Sequence, residues 1–343
     1  MISGKTRGRS LRARLLTVAV ASVAAATLPL ASGGTALAAP QKTSSITKVT
    51  DVDPQEVTLS VYSKSMDKKI DVSVLTPKNR KKAAPTLYLL QGANGGILNS
   101  GWAGQTKFKK YFTDRHVYVV SYVGGQYSYH TDWQKDDPHL GRNKWATFLT
   151  EELPPLIDKE FNTTGANAAA GISMAGTSVF SLVLKAPKLY RAIGAFSGCA
   201  RTSDWLGQQY IKLVVDRGDG NIENMWGPLG GPGWIANDPY IQAAKLRGMS
   251  IYLTAGSGLP GQFDNLKNPD MEGSPWILAN QMVAGGAIEA SVNVCSREVS
   301  RRLTELDIPH TLTIRPTGTH SWRYWQVDLH QTWPKLAKDL KTE

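Results

Sequence analysis

Residues 168–176 read Ala168-Ala169-Ala170-Gly171-Ile172-Ser173-Met174-Ala175-Gly176. The small-residue run Ala168–Ile172 predicts a short buried strand. The apolar spacing from Ala175 to Ala186 predicts a helix. A serine between the two sits on a sharp strand-to-helix turn, the setting of a nucleophile elbow. Such a turn crowds the positions two residues either side of the serine, and Gly171 and Ala175 are small enough for it. The turn lifts the Ser173 hydroxyl out of the sheet and aims the Met174 amide where an oxyanion would form.

On either side of the elbow the chain alternates between strand and helix patterns. Glu56–Tyr62 and Lys69–Leu75 alternate apolar and polar residues, predicting an antiparallel pair. Thr86–Leu90 and Val117–Val123 are denser apolar runs, as in strands buried on both faces. Trp145–Phe161 has helical spacing. Downstream, Ala192–Phe196, Ser250–Ala255 and His310–Arg315 read as strands. Ile277–Leu306 reads as helix with a break at Gly285-Gly286, and Tyr324–Leu340 as a final helix. Arg201–Arg247 is rich in Gly, Trp and Pro and has no clean period, predicting a cap or loop region beside the sheet. The whole is an α/β pattern, a mostly parallel sheet covered by helices on both faces, and with the elbow it predicts an α/β-hydrolase fold.

Composition narrows the classes. The chain has 343 residues, 41% hydrophobic and 20% charged, enough to bury a substantial core, which excludes wholesale disorder. Residues 1–38 carry Lys5, Arg7, Arg9, Arg12 and Arg14 without an acid, then an apolar run from Leu15 to Leu30 and an Ala36-Leu37-Ala38 exit. They read as a secretory signal peptide, leaving residues 39–343 as one catalytic domain with no transmembrane segment after processing. Removing those five charges lowers the net charge from +11 to +6. The basic run Lys78–Lys82 reads as a solvated turn, no nucleic-acid motif occurs, and no Cys/His spacing suggests a metal. The two cysteines, Cys199 and Cys295, predict one disulfide in an exported chain.

Ser173 needs a base. In this fold the histidine follows the nucleophile and the acid in the chain, so His116, His130 and His139 are excluded. His310 starts a strand and His330 lies in the last helix. His320 lies on the loop Thr317–Trp322, between a strand and a helix, where a base belongs. For the acid the residues leave two candidates. Asp264 follows the strand Ser250–Ala255, the usual position, and Glu289 stands in Ala287-Ile288-Glu289-Ala290.

Several segments together bring a family into view. They are Leu89-Leu90-Gln91-Gly92, Val123-Gly124-Gly125-Gln126, Thr131-Asp132-Trp133, Lys144–Thr150, the elbow itself, Met225-Trp226-Gly227-Pro228, Asn237-Asp238-Pro239 and Gly318-Thr319-His320-Ser321-Trp322. From about Tyr88 to Leu329 the chain resembles the antigen 85-type mycolyltransferases, including the corynebacterial ones. That resemblance implies that the acid is Glu289, 31 residues before His320, and that the oxyanion donors are the Ala93 and Met174 amides. It implies substrate contacts from Gln91, Asn94, Trp226, Ser321 and Trp322, with Trp234 a further groove residue. Gln91 and Asn94 depart from the family, which commonly has an acidic and a basic residue there beside the trehalose.

The activity so implied is ping-pong transfer of a mycolic acyl group without a cofactor. The donor is trehalose monomycolate and the acceptor a trehalose, arabinogalactan or protein hydroxyl of the cell envelope. A secreted carboxylesterase using water is the second expectation. A catalytically inert envelope-binding or adhesion protein is the third, and the presence of Ser173, Glu289 and His320 speaks against it.

Overall fold

The alternating N-terminal segments become one antiparallel edge of a sheet. Strands β1 (Ser45–Asp53), β2 (Glu56–Ser63) and β3 (Lys68–Leu75) pair antiparallel in chain order, and β3 pairs antiparallel with β5 (Tyr118–Tyr122). β2 turns Val57, Leu59 and Val61 into the core, as a period of two requires. The remaining strands are β4 (Ala84–Leu90), β6 (Thr163–Ile172), β7 (Tyr190–Phe196), β8 (Ser250–Ala255) and β9 (His310–Ile314). β5, β4, β6, β7, β8 and β9 pair parallel, each with the next. The computed structural model describes residues 43–342, and there nine strands form one sheet in the order β1-β2-β3-β5-β4-β6-β7-β8-β9. β4 and β5 are buried along their whole length, because helices cover both faces.

One face carries helices α1 (Leu153–Glu160), α2 (Met174–Lys185) and α4 (Gly286–Glu305), through side chains such as Leu153, Val179, Phe180, Val299 and Leu303. The other carries α5 (Trp322–Leu340), through Trp325, Leu329, Trp333 and Leu336, with Trp102, Phe108 and Phe112 beside it. Helix α3 (Trp205–Asp216) stands apart, packing Ile211 and Val215 into a third cluster with Tyr129, Trp133, Met174, Met225, Trp226 and Trp234. This is the α/β-hydrolase architecture, with the elbow at the end of β6 near the middle of the sheet.

Three details differ from the sequence expectations. Gly285-Gly286 does not break its helix: the chain stays helical from Pro275 to Glu305 by passing through a π-helical turn, Gln281–Gly285. A second π-helical turn, Phe148–Glu152, lies within the helix expected over 145–161, which likewise continues through it to Glu160. The cap region 201–247 contains α3, a regular helix of 12 residues. Lys42–Glu343 forms one compact unit. The expected signal peptide, residues 1–38, lies outside the described residues. Among the described residues no helix is long and apolar enough to cross a membrane.

Candidate active site

β6 ends at Ile172 and α2 begins at Met174, which leaves Ser173 alone on the turn at φ 53°, ψ −122°. A non-glycine residue holds that conformation only when its surroundings impose it. Here the Ser173 amide donates to the Phe196 carbonyl at 2.8 Å, and the Gly176 amide donates to the Ser173 carbonyl at 2.9 Å. The turn is tight enough that a Cβ on Gly171 would lie 2.6 Å from the Ala175 carbonyl oxygen. At Gly176 it would lie 2.9 Å from Gly198 Cα. The Met174 amide opens α2, so it belongs to the first turn, whose N–H groups have no intrahelical acceptor.

The loop after β9 brings His320 to the serine. Its Nε2 is 2.8 Å from Ser173 Oγ, and its Nδ1 is 2.7 Å from Glu289 Oε2. With Nδ1–H donating to Glu289, Nε2 is left to accept from the serine hydroxyl. The π-helical turn contributes directly, since the His320 amide donates to the Gly285 carbonyl at 3.1 Å. The imidazole edge also meets Trp325, with ring centroids 4.8 Å apart.

Glu289 is fully buried in the first turn of α4. Its Oε1 accepts from Ser197 Oγ at 2.8 Å, from Arg315 Nη2 at 3.0 Å and from the Gly256 amide. Burial pushes its carboxyl up. The hydrogen bond and charge of His320, the Gly256 amide and Arg315 together outweigh burial, so the group lies below the usual carboxylate range.

Asp264, the other candidate acid, is buried close by but does not touch His320. It accepts from Thr319 Oγ1 at 2.7 Å, Gln281 Nε2 at 2.6 Å, Tyr324 OH at 2.6 Å and the Gly261 amide at 2.8 Å. It is a hub that ties the histidine loop to α5 and to the π-helical turn.

Ser173 and His320 open onto a groove of about 330 Å³. One wall is α3, through Gly207, Tyr210, Ile211 and Val214; the other is the start of α4, through Ala287, Ile288 and Val292. Ala93 and Met174 lie at its floor beside Ser173. Leu213 (58% exposed) and Ile288 (38% exposed) line the groove while facing water, an apolar surface suited to an acyl chain. Among the described residues no His/Cys/Asp/Glu cluster is arranged to hold a metal ion.

The residues expected to touch substrate separate. Asn94 is exposed at the end of the Ala93 loop, and its Oδ1 accepts from Tyr127 OH at 3.1 Å. Gln91 lies outside the groove lining. It is 4% exposed, its Oε1 accepts from the Trp102 amide at 3.2 Å, and it lines a different cavity with Glu56, Ser73 and Asn99. The 92–101 loop folds back over it, with Gly96 and Gly101 against its side-chain amide. Trp226 and Trp234 also lie outside the groove lining. Both are buried and packed edge to face at 5.1 Å in the third cluster, behind the groove wall. Trp322 packs edge to face on Trp102 and Trp325, outside the groove lining, and Ser321 precedes the same helix with its Oγ buried and making no capping hydrogen bond. Cys199 and Cys295 are joined in a disulfide, which fastens the segment after β7 to α4. The sequence reading missed Tyr129, Ser197, Arg315 and the α3 wall. Only the last left a signal, the helical spacing of Gly207, Ile211 and Val214.

Fold and side-chain geometry together define the class, a serine esterase or acyltransferase built on the α/β-hydrolase sheet. The chain belongs to the family described as "Putative esterase", whose model matches residues 63–336, and within it to the Ag85 type. It is 32% identical over 298 residues to diacylglycerol acyltransferase/mycolyltransferase Ag85A of Mycobacterium leprae, covering 82% of each chain. To Ag85A of Mycobacterium tuberculosis it is 31% identical over 294 residues, covering 82% of this chain and 80% of that one. Among solved structures it is similar to Mycobacterium tuberculosis MPT51 (FbpC1), with TM-score 0.66 at 22% identity over 82% of this chain and 97% of that one. It is also similar to an S-formylglutathione hydrolase from Agrobacterium tumefaciens, with TM-score 0.60 at 16% identity over 86% and 99%. These two structures share the fold.

Proposed function

We propose that the chain is a mycolyltransferase. In this proposal Ser173 is the nucleophile, His320 the base, Glu289 the acid, and the Ala93 and Met174 amides the oxyanion donors. The supporting observation is the unbroken line from Ser173 Oγ through His320 to buried Glu289, opening on an apolar groove. The Ag85 relatives, diacylglycerol acyltransferase/mycolyltransferases by name, add support.

His320 Nε2 takes the Ser173 proton as Oγ attacks the ester carbonyl of a trehalose monomycolate. The two amides hold the oxyanion, each worth roughly 10²–10³ in rate. Glu289 stabilises the imidazolium. The intermediate collapses, His320 returns the proton to the departing sugar oxygen, and the acyl chain stays on Ser173 with its tail in the α3–α4 groove. A second hydroxyl, from trehalose, cell-wall arabinogalactan or a protein, gives its proton to His320 and takes the acyl group. With water in that place the product is a free acid. Residues 1–38 would act as the export signal and 39–343 as the mature enzyme.

The test is incubation with labelled trehalose monomycolate, with and without each acceptor, followed by analysis of where the label goes. Label on a sugar or protein hydroxyl is expected. Free acid alone would make the protein an esterase. Ser173→Ala should lower turnover by about 10⁴ or more, and a phosphonate ester should leave one adduct, on Ser173. An adduct elsewhere would remove the assignment.

A further inference from the structure

Glu289 does not stand alone as a charge. Arg315, just past the end of β9, places Nη2 3.0 Å from Glu289 Oε1, and its Nη1 contacts Asp328 Oδ2 on the second turn of α5. Both carboxylates are fully buried, and the Arg315 side chain is 11% exposed. The Arg315 amide donates to the Ala255 carbonyl at 2.8 Å, and its guanidinium lies 5.3 Å from the Tyr324 ring centre, so backbone and side chain are both held.

A guanidinium does not lose its proton in a protein, so Arg315 is a permanent positive charge in hydrogen-bond reach of Glu289. Alone it would offset the carboxylate and weaken its stabilisation of a protonated His320. A second carboxylate on the far side of the guanidinium restores the balance. Glu289, Arg315 and Asp328 together carry one negative charge, as a lone Glu289 would. We infer that Asp328 is a positioning residue for the acyl transfer: ionised, it holds Arg315 and keeps the negative charge of Glu289 available to His320. The inference rests on the assignment of His320 and Glu289 made above.

The surroundings leave few other charges to do this. His320 faces Glu289 from α4, Ser173 from the elbow and the Trp325 edge from α5. Arg201 and Arg217 lie along the groove, and Asp264 reaches the histidine loop only through Thr319. Asp328 faces Arg315 from the end of β9 and Thr254 from β8, with Glu289 beyond the arginine. Burial raises the Asp328 carboxyl above its usual range, against the pull of Arg315.

Two readouts test the inference: the His320 imidazole followed by NMR of ¹⁵N-histidine-labelled protein, and the acid limb of kcat/KM on a soluble ester. Asp328→Asn leaves Arg315 unbalanced and should move the His320 titration and the acid limb about one unit to lower pH. It should lower kcat about tenfold while KM stays within about twofold. Arg315→Met removes the positive charge and should move both the opposite way. The pair Arg315→Met with Asp328→Leu should return both toward wild type. Should Asp328→Asn not fold, the upward shift in Arg315→Met and its cancellation in the double variant still decide. Single variants that lose thermal stability while the His320 titration stays in place would reduce the cluster to packing. The NMR readout needs no turnover. Failure of the acyl-transfer assignment would appear separately, as activity surviving Ser173→Ala.

Discussion

An imidazole that must carry a transient positive charge needs a carboxylate at one specific nitrogen, and two buried acids lie near His320. Glu289 meets Nδ1 at 2.7 Å; Asp264 meets the neighbouring Thr319 hydroxyl. Glu289→Gln should therefore lower turnover by about 10⁴, by removing the charge and disturbing the tautomer. Asp264→Asn should cost about tenfold, because Gly261, Gln281 and Tyr324 still hold the loop. Steady-state rates of the two variants on one ester give the ranking. The reverse order would return the acid's role to the position after β8. Position along the chain favoured Asp264 slightly, and only the family resemblance pointed to Glu289, because the choice depends on how α4 folds back over β8. The strand-to-helix turn at Ser173 and the loop that carries His320 were legible because each is a local pattern in the chain. The burial of Gln91 was not legible, because its side chain is held by the Trp102 amide, eleven residues away.

At the scale of elements, the loop after β5 combines several left-handed residues with one that lines the groove. Gly124, Gly125, Tyr127, Tyr129 and His130 all have positive φ. Tyr129 lines the groove, with its amide donating to Met174 Sδ at 3.3 Å and its carbonyl accepting from Ser178 Oγ at 2.7 Å. His130, next to it, is fully buried against Tyr122, Trp145 and Ser178. Burial lowers its imidazole from 6.5 to about 3. The folded state keeps His130 neutral while the unfolded chain takes a proton below about 6.5, so this group's stabilisation is complete above that pH. It is lost as pH falls toward 3, by up to about 5 kcal/mol. Denaturant unfolding at pH 7, 5 and 4 should show the decline, and His130→Gln should flatten it; an unchanged slope would clear His130 of the effect. The parallel strands and long helices were legible because their apolar periods are clean. α3 was passed over although Gly207, Ile211 and Val214 have helical spacing, because the Gly, Trp and Pro of the surrounding 201–247 stretch hide that period; Ile211 and Val214 both line the groove and pack on the third core cluster. β1 was missed because its side chains are largely exposed, leaving no buried face to mark it.

Over the whole molecule, one covalent bond links distant parts of the site. Cys199 follows β7, Cys295 lies six residues past Glu289, and the bond between them closes a loop of 96 residues. Chain entropy assigns such a closure about 4–5 kcal/mol. Reduction, or Cys199→Ser with Cys295→Ser, should lower Tm and, because the tie ends on α4, the helix that carries Glu289, lower kcat as well. A fall in Tm with kcat intact would show that packing alone seats α4. A bond of this kind closes where thiols are oxidised and stays open in a reducing cytoplasm. For a chain made in one compartment and used in another, competence would then arrive with the crossing: newly made molecules would be slow to acylate themselves or cytoplasmic hydroxyls, and would reach full activity beside their lipid.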